Sequence, residues 1–200
     1  MNPLISKPAD TLSGTSIIPG DKSISHRAVL FSALAAGKSE IFGLLEGDDV
    51  KRTASAITDL GCHVDSQGAG RWMIAGCGIG GLGPPNQVLD MGNSGTAARL
   101  LLGVLAGYNF TTFLTGDKSL CKRPMDRITA PLSNMGATFT TSEGRLPIAI
   151  AGAERLLPLE YHLPMASAQV KSAILLAGLN APGETTVIEP EPTRDHTERM

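Results

Sequence analysis

The sequence predicts an α/β fold made from one supersecondary unit used repeatedly. Three observations carry this expectation. Ser23-Ile24-Ser25-His26-Arg27, Gly95-Thr96-Ala97-Ala98-Arg99 and Ser167-Ala168-Gln169-Val170-Lys171 recur at an interval of 72 residues, each with a small residue first and a cation four positions on. Each then runs into a helical apolar stretch, Ala28-Val29-Leu30-Phe31, Leu100-Leu101-Leu102 and Ile174-Leu175-Leu176. Between these helices, strand-like segments alternate with further helices and end in hairpin pairs, the pattern of mixed α/β architecture.

The elements follow in order. After the first helix Gly37 punctuates, and Ser39 to Leu45 reads as a strand. Asp48 to Leu60 reads as a second helix, its acids suited to the positive N-terminal end and Gly61 closing it. His63-Val64-Asp65 and Trp72 to Ala75 form a predicted hairpin. The second unit repeats the order: helix Thr96–Ala106, strand Thr111–Thr115, helix Met125–Met135 stopped by Gly136, then strands Ala137–Thr140 and Leu146–Ile150. The third has helix Ser167–Leu179, strand Glu184–Glu189 and the start of a helix at Thr193–Met200. Two full units and a partial third lead to the expectation of the first portion of a longer enzyme, or half of a split one.

With 200 residues and 42% hydrophobic content, a packed core is within reach. A net charge of −2 lacks the basic excess of a nucleic-acid surface. Cys62, Cys77 and Cys121 show neither C-x-x-C pairing nor zinc spacing, and a sparse, odd count suits a reducing compartment. No segment approaches the ~20 apolar residues of a membrane span, and the first residues lack signal or transit character. The expectation is a cytoplasmic protein.

Several motifs resemble chemistry without its context. Gly76-Cys77-Gly78-Ile79-Gly80-Gly81 matches G-x-G-x-x-G, but Gly83-Pro84-Pro85 follows where a helix should begin, so it reads as a loop. Gly37-Lys38-Ser39 follows a helix instead of preceding one. Ser119-Leu120-Cys121-Lys122 fits S-x-x-K without its partner motifs. Asp195, His196 and Glu198 lack a second cluster that would make a triad or metal site. The four histidines, His26, His63, His162 and His196, read as structural or surface residues. The repeated motif is different: small residues at a helix start, backed by a cation, form an anion site, and three of them suit a substrate with several negative charges. The bland alternative is three N-capped core helices.

Five blocks carry a specific resemblance: Pro19 to Ala28, Gly92 to Arg99, Lys122-Arg123-Pro124-Met125, Met165 to Ala173, and Thr193 to Glu198. Together, and in this order, they are similar to the 5-enolpyruvylshikimate-3-phosphate (EPSP) synthase family; the last two look most like its glyphosate-tolerant bacterial class. The resemblance implies a lobe of βαβαββ units around a pseudo-threefold axis, with residues 1–20 crossing to a second, absent lobe. Residues 21–200 then form the substrate-binding lobe, with units near 21–92 and 93–164 and an incomplete one at 165–200.

It also implies transfer of the enolpyruvyl group of phosphoenolpyruvate to the 5-hydroxyl of shikimate 3-phosphate, with release of phosphate and without metal or cofactor. Lys22, Ser23, Arg27, Ser167, Ala168, Gln169 and Arg194 would hold shikimate 3-phosphate. Lys22, Asn93, Gly95, Thr96, Arg123 and Gln169 would hold phosphoenolpyruvate, Arg123 through its planar fork. Lys22 would assist catalysis, while the acid and base carboxylates of the family have no counterpart here, so the chain alone is expected to be inactive and to need a complementary C-terminal half. Arg99 and Lys171 stand open between supporting the site and pairing with nearby acids. Two alternatives remain: a non-catalytic lobe that binds phosphorylated ligands, and a UDP-N-acetylglucosamine enolpyruvyl transferase, whose loop cysteine Cys121 approximates. Gly95 stands where tolerant relatives often carry alanine, which leads to the expectation of glyphosate sensitivity.

Overall fold

The computed structural model describes residues 3–200; Met1 and Asn2, the start of the segment expected to cross between lobes, lie outside the described residues. Residues 3–20 contain no helix or strand. The first unit comprises α1 (Lys22–Leu34), β1 (Ala36–Ile41), α2 (Asp48–Asp59), β2 (His63–Gly68) and β3 (Arg71–Cys77). The second comprises β4 (Leu89–Asp90), α3 (Gly95–Leu105), β5 (Thr111–Thr115), a 3-10 turn at Leu120–Lys122, α4 (Asp126–Asn134), β6 (Thr138–Ser142) and β7 (Arg145–Ala151). The third begins with β8 (Glu160–His162), α5 (Ala168–Gly178), β9 (Thr186–Ile188) and α6 (His196–Arg199).

The repeat shows in the pairing. The first sheet has the order β1-β3-β2 and the second β4-β5-β7-β6, so each contains the same antiparallel trio with the last strand of the hairpin in the middle. β4 adds to β5 in parallel, and β8 pairs with β9 in parallel in the same way. The second unit thus displays the whole βαβαββ order.

Three differences from the sequence reading have local causes. β1 lies at Ala36–Ile41, earlier than the predicted Ser39–Leu45. Its ladder runs from Ala36 opposite Cys77 to Ile41 opposite Trp72, and Gly37 sits inside it at φ 96°. Gly43 then turns the chain at φ 71°, and Leu44 N–H bonds Gly70 O at 2.9 Å, so the apolar run Leu44-Leu45 belongs to a loop. β4 and β8 were not foreseen, because two or three residues are too few to show an alternation. The third unit's helix is confined to His196–Arg199 and its strand to Thr186–Ile188.

The core forms around α3. Leu100, Leu101, Leu102, Val104 and Leu105 are each at most 1% exposed, so this helix is buried on all sides. It meets α5 at Gly103, where a Cβ would stand 2.3 Å from the Ala173 carbonyl oxygen; only glycine allows the helices to approach so closely. On β5 and β7, Leu114, Ile148 and Ile150 face inward and Phe113 faces out, the alternation of a half-buried sheet. Among the described residues, no helix is long and apolar enough to cross a membrane.

Candidate anion-binding site

The three repeated motifs do open helices, each capped by a side-chain oxygen. Asp21 accepts from Ile24 N–H at 2.8 Å, Ser94 from Ala97 N–H at 3.2 Å and Ser167 from Val170 N–H at 3.4 Å. The helices, however, start at Lys22, Gly95 and Ala168, one residue further apart than the cations recur. Ser23 therefore lies within α1, Gly95 is the first residue of α3, and Ser167 is the cap of α5. Each cation consequently sits one position nearer its cap than the one before, and their roles diverge. Arg27 and Arg99 both donate back to the carbonyl four residues earlier, Ser23 O at 3.0 Å and Gly95 O at 3.3 Å. Lys171 turns away to Glu189 and Glu198, both at 2.6 Å.

Side chains link the helix starts. Gln169 accepts from Arg99 at 3.1 Å and donates to Thr96 Oγ1 at 3.0 Å, joining α5 to α3. Arg27 is buried and donates to Ser172 Oγ of α5 and Thr197 Oγ1 of α6, both at 2.7 Å. Arg194 reaches Ser23 Oγ at 3.3 Å. Lys22, on the exposed first turn of α1, pairs with Asp49 at the start of α2. Arg123 donates to Asn93 Oδ1 at 2.6 Å, and Asn93 donates to Asp117 at 2.7 Å. Asp117 also accepts from Ser119 and Leu120 N–H at the 3-10 turn, and its contacts to Asn93 and Leu120 hold its carboxyl below the ordinary range.

Charge is distributed unusually here. Among the described residues Arg27, Arg99, Arg123, Arg127 and Arg194 near the helix starts have no salt-bridged carboxylate, nor do Arg145 and Arg155 elsewhere, whereas Arg52, Arg71 and Arg199 do. The five near the helix starts fall into two groups. Burial, and then Arg194, lower the pKa of Arg27; burial, and then Arg123 and Arg127, lower that of Arg99. Asp21 and Glu198 act on Arg27, and Asp117 on Arg123, from beyond salt-bridge distance, and like charges held together without a directly paired carboxylate favour bound anions. A cavity of about 170 Å³ lined by Arg99, Arg127, Ser167 and Gln169 lies at the second group. A larger cleft of about 690 Å³ between α2 and Gly92-Asn93 carries Asp48, Asp49 and Asp117 together with Lys51 and Arg52, so its charge is mixed.

This geometry joins Pro19-to-Ala28, Gly92-to-Arg99, Arg123, Ser167-to-Lys171 and Arg194 in one network. A family model for EPSP synthase (3-phosphoshikimate 1-carboxyvinyltransferase) matches residues 6–200. The chain belongs to the EPSP synthase family. It is 58% identical over 198 residues to the 3-phosphoshikimate 1-carboxyvinyltransferase of Parvibaculum lavamentivorans, covering 98% of this chain and 44% of that protein. A relative of the same name from Acidiphilium cryptum is 58% identical over 195 residues, covering 97% of this chain and 44% of the relative. A solved EPSP synthase from Acinetobacter baumannii superposes with a TM-score of 0.89 at 52% identity, covering 93% of this chain and 42% of that one. The chain therefore spans less than half the length of the EPSP synthases it matches.

Within this chain, the predicted residues differ in how free they are. Lys22, Ser167, Ala168 and Arg194 lie at accessible helix starts or on the surface. Arg27, Asn93, Thr96 and Gln169 are already engaged with one another's supports. Sequence reasoning missed Asp49, Asp117 and Arg127. Arg127 had a signal, since it stands four residues after Arg123 and shares its neighbourhood across the start of α4. Asp49 had been read only as a helix-dipole partner. His26 is buried with Nδ1 2.7 Å from Thr53 Oγ1, and burial pushes it down to about 4, so it is a neutral structural residue. Asp195 pairs with Arg199 and Glu198 with Lys171, so neither joins His196 in a triad. The Gly76–Gly81 motif is the end of β3 and a loop, as expected.

The α5–α6 charge cluster makes stability sensitive to acid. Burial would raise the pKa of Glu189, but its bonds from Lys171 and Thr193 outweigh burial and hold it below 4.5. A depressed carboxylate contributes stability above its unfolded value and loses it as pH falls through the folded one. Thermal unfolding should therefore shift downward once pH drops below 4.5, and Glu189→Gln should flatten that acid limb. An unchanged limb would separate Glu189 from acid stability.

Proposed function

We propose that the chain is the substrate-gripping part of an enzyme that transfers the enolpyruvyl group of phosphoenolpyruvate to the 5-hydroxyl of shikimate 3-phosphate, in the cytoplasm. The observation that carries this reading is the pair of arginine groups at the helix starts, none of whose members is salt-bridged to a carboxylate. Both substrates bear phosphate and carboxylate, so two such groups match two polyanions. Ser167 and the Ala168 N–H at the start of α5 receive the shikimate phosphate, with Ser23, Arg27, Gln169 and Arg194 on the same ligand. Arg123 clamps phosphoenolpyruvate, Asn93 and Thr96 line its pocket, and Gly95 lets the backbone come close.

In the reaction the 5-hydroxyl attacks C2 of phosphoenolpyruvate as C3 takes up a proton. The tetrahedral adduct then loses a proton from C3 and expels inorganic phosphate, giving the enol ether. Lys22, beside Asp49 and open to solvent, stabilises charge and assists proton movement. Its carboxylate partners in acid–base work come from a complementary C-terminal half, onto which residues 3–20 dock with the exposed Ile17 and Ile18. Closure of the two parts excludes water. The competing transferase reading is weakened by Cys121, whose thiol is engaged with the Gly116 carbonyl at 3.3 Å.

Phosphate release from the two substrates tests this, with the chain alone and mixed with the C-terminal remainder of a similar synthase. Turnover in the mixture alone is expected. Turnover by the chain alone would overturn the need for a second half; ligand capture without turnover in the mixture would favour the binding-lobe alternative. Gly95→Ala should raise the KM for phosphoenolpyruvate in the mixture by about 10-fold or more. Its Cβ would stand 2.7 Å from Arg99 Nη1 and 3.1 Å from Arg123 Nη1, so the guanidiniums must swing aside. Glyphosate inhibition should weaken in parallel; an unaltered KM would place the ligand away from Gly95.

A further inference from the structure

Two cysteines play no part in the site. The Cys62 and Cys77 sulfurs lie 2.7 Å apart, and both thiols are free. Cys62 is in the turn between α2 and β2, and Cys77 is the last residue of β3. β2 and β3 pair His63 with Ala75, which places the two cysteines on a diagonal at the open end of the hairpin. Cys62 Sγ points to Ala33 O of α1 at 3.8 Å, and Cys77 stands opposite Ala36, the first residue of β1.

We propose that Cys62 and Cys77 form a reversible disulfide site, oxidised by hydroperoxides and reset by thiol reductants. The sulfurs need to close by well under an ångström to reach the bonded distance of about 2.05 Å. Cys77 is partly exposed and Cys62 is buried, so the oxidant meets Cys77 first. The Cys77 sulfur attacks one peroxide oxygen, the O–O bond breaks, and Cys77 becomes a sulfenic acid as the other oxygen leaves as water or alcohol. Cys62 sulfur then attacks the Cys77 sulfur, and the hydroxyl departs as water with the Cys62 proton. Two thiols are oxidised by one peroxide, which accepts both electrons. Burial, together with the hydrogen bond and charge of Cys77, pushes the Cys62 thiol up to about 12. Burial persists after Cys77 is oxidised, so the second step rests on the closeness of the two sulfurs. This inference does not depend on the function proposed for the lobe.

The test is to treat the folded chain with a small excess of hydrogen peroxide, quench, denature and titrate thiols. Titratable thiols should fall from three to one, the survivor being Cys121, and return with dithiothreitol. Trypsin cuts after Arg71, between the two cysteines, so the linked peptides should appear as one species lighter by two hydrogens than their sum. Cys62→Ser should instead trap Cys77 as a dimedone-reactive sulfenic acid. Retention of three thiols, loss of Cys121 first, or overoxidation of Cys77 beside an intact Cys62 would each overturn the proposal.

Discussion

Replacing Lys171 by alanine should destabilise the fold by about 3–5 kcal/mol, the cost of breaking a buried ion pair from one side. The ammonium is 5% exposed and contacts Glu189 and Glu198 at 2.6 Å each. Burial alone would lower its pKa, yet the two carboxylates outweigh burial and raise it, so the lysine is charged at neutral pH. Alanine would leave Glu189, 15% exposed, as an uncompensated carboxylate, while Glu198, 36% exposed, could turn to water. For a chain of this size the melting midpoint should fall by on the order of 10 °C. Lys171→Met combined with Glu189→Gln removes both charges and should recover much of the loss. If Lys171→Ala melts with the parent, the cluster contributes nothing net and the α5–α6 contact rests on Arg27, Ser172 and Thr197 alone.

The contrast between Lys171 and the two repeated arginines shows what the sequence could and could not reveal. The 72-residue interval located all three cations and their helices, because repeated apolar stretches and small residues leave a strong signal. It could not show that the caps step by one residue more, since Asp21, Ser94 and Ser167 are all acceptable N-caps with acceptable neighbours on either side. Lys171 pairs with Glu189 and Glu198, whereas Arg27 and Arg99 each donate back to a carbonyl at their own helix start. Long elements such as α2 and β7 were legible from periodicity. The two-residue β4 was not, nor was the register of β1, where apolar Leu44-Leu45 outweighed the pairing that a partner strand imposes. Asp117 was illegible for another reason. It acts on Asn93 across 24 residues of chain, and nothing local marks a carboxylate that orients an amide.

That relay gives the second large effect. In the reconstituted enzyme, Arg123→Ala should lower kcat/KM for phosphoenolpyruvate by about 100-fold or more, the range for losing a charged group that contacts a developing or bound anion. The guanidinium is held by Asn93 at 2.6 Å and by Ser119 at 3.4 Å, both outside the core, so the melting midpoint should stay near that of the parent. Arg123→Lys keeps the charge but cannot reproduce the planar fork, and should recover only part of the activity. Asn93→Ala frees the fork without removing it, so its loss should be smaller and fall mainly on KM. Asp117→Asn should follow Asn93→Ala in the same direction, since the carboxylate orients the amide and acts on Arg123 by charge without touching the ligand. The order Arg123→Ala, Arg123→Lys, Asn93→Ala, Asp117→Asn, from most to least damaging, is what a preorganised clamp requires. Equal effects across the four, or a loss confined to shikimate 3-phosphate, would show that Arg123 serves the loop and not the phosphoenolpyruvate anion.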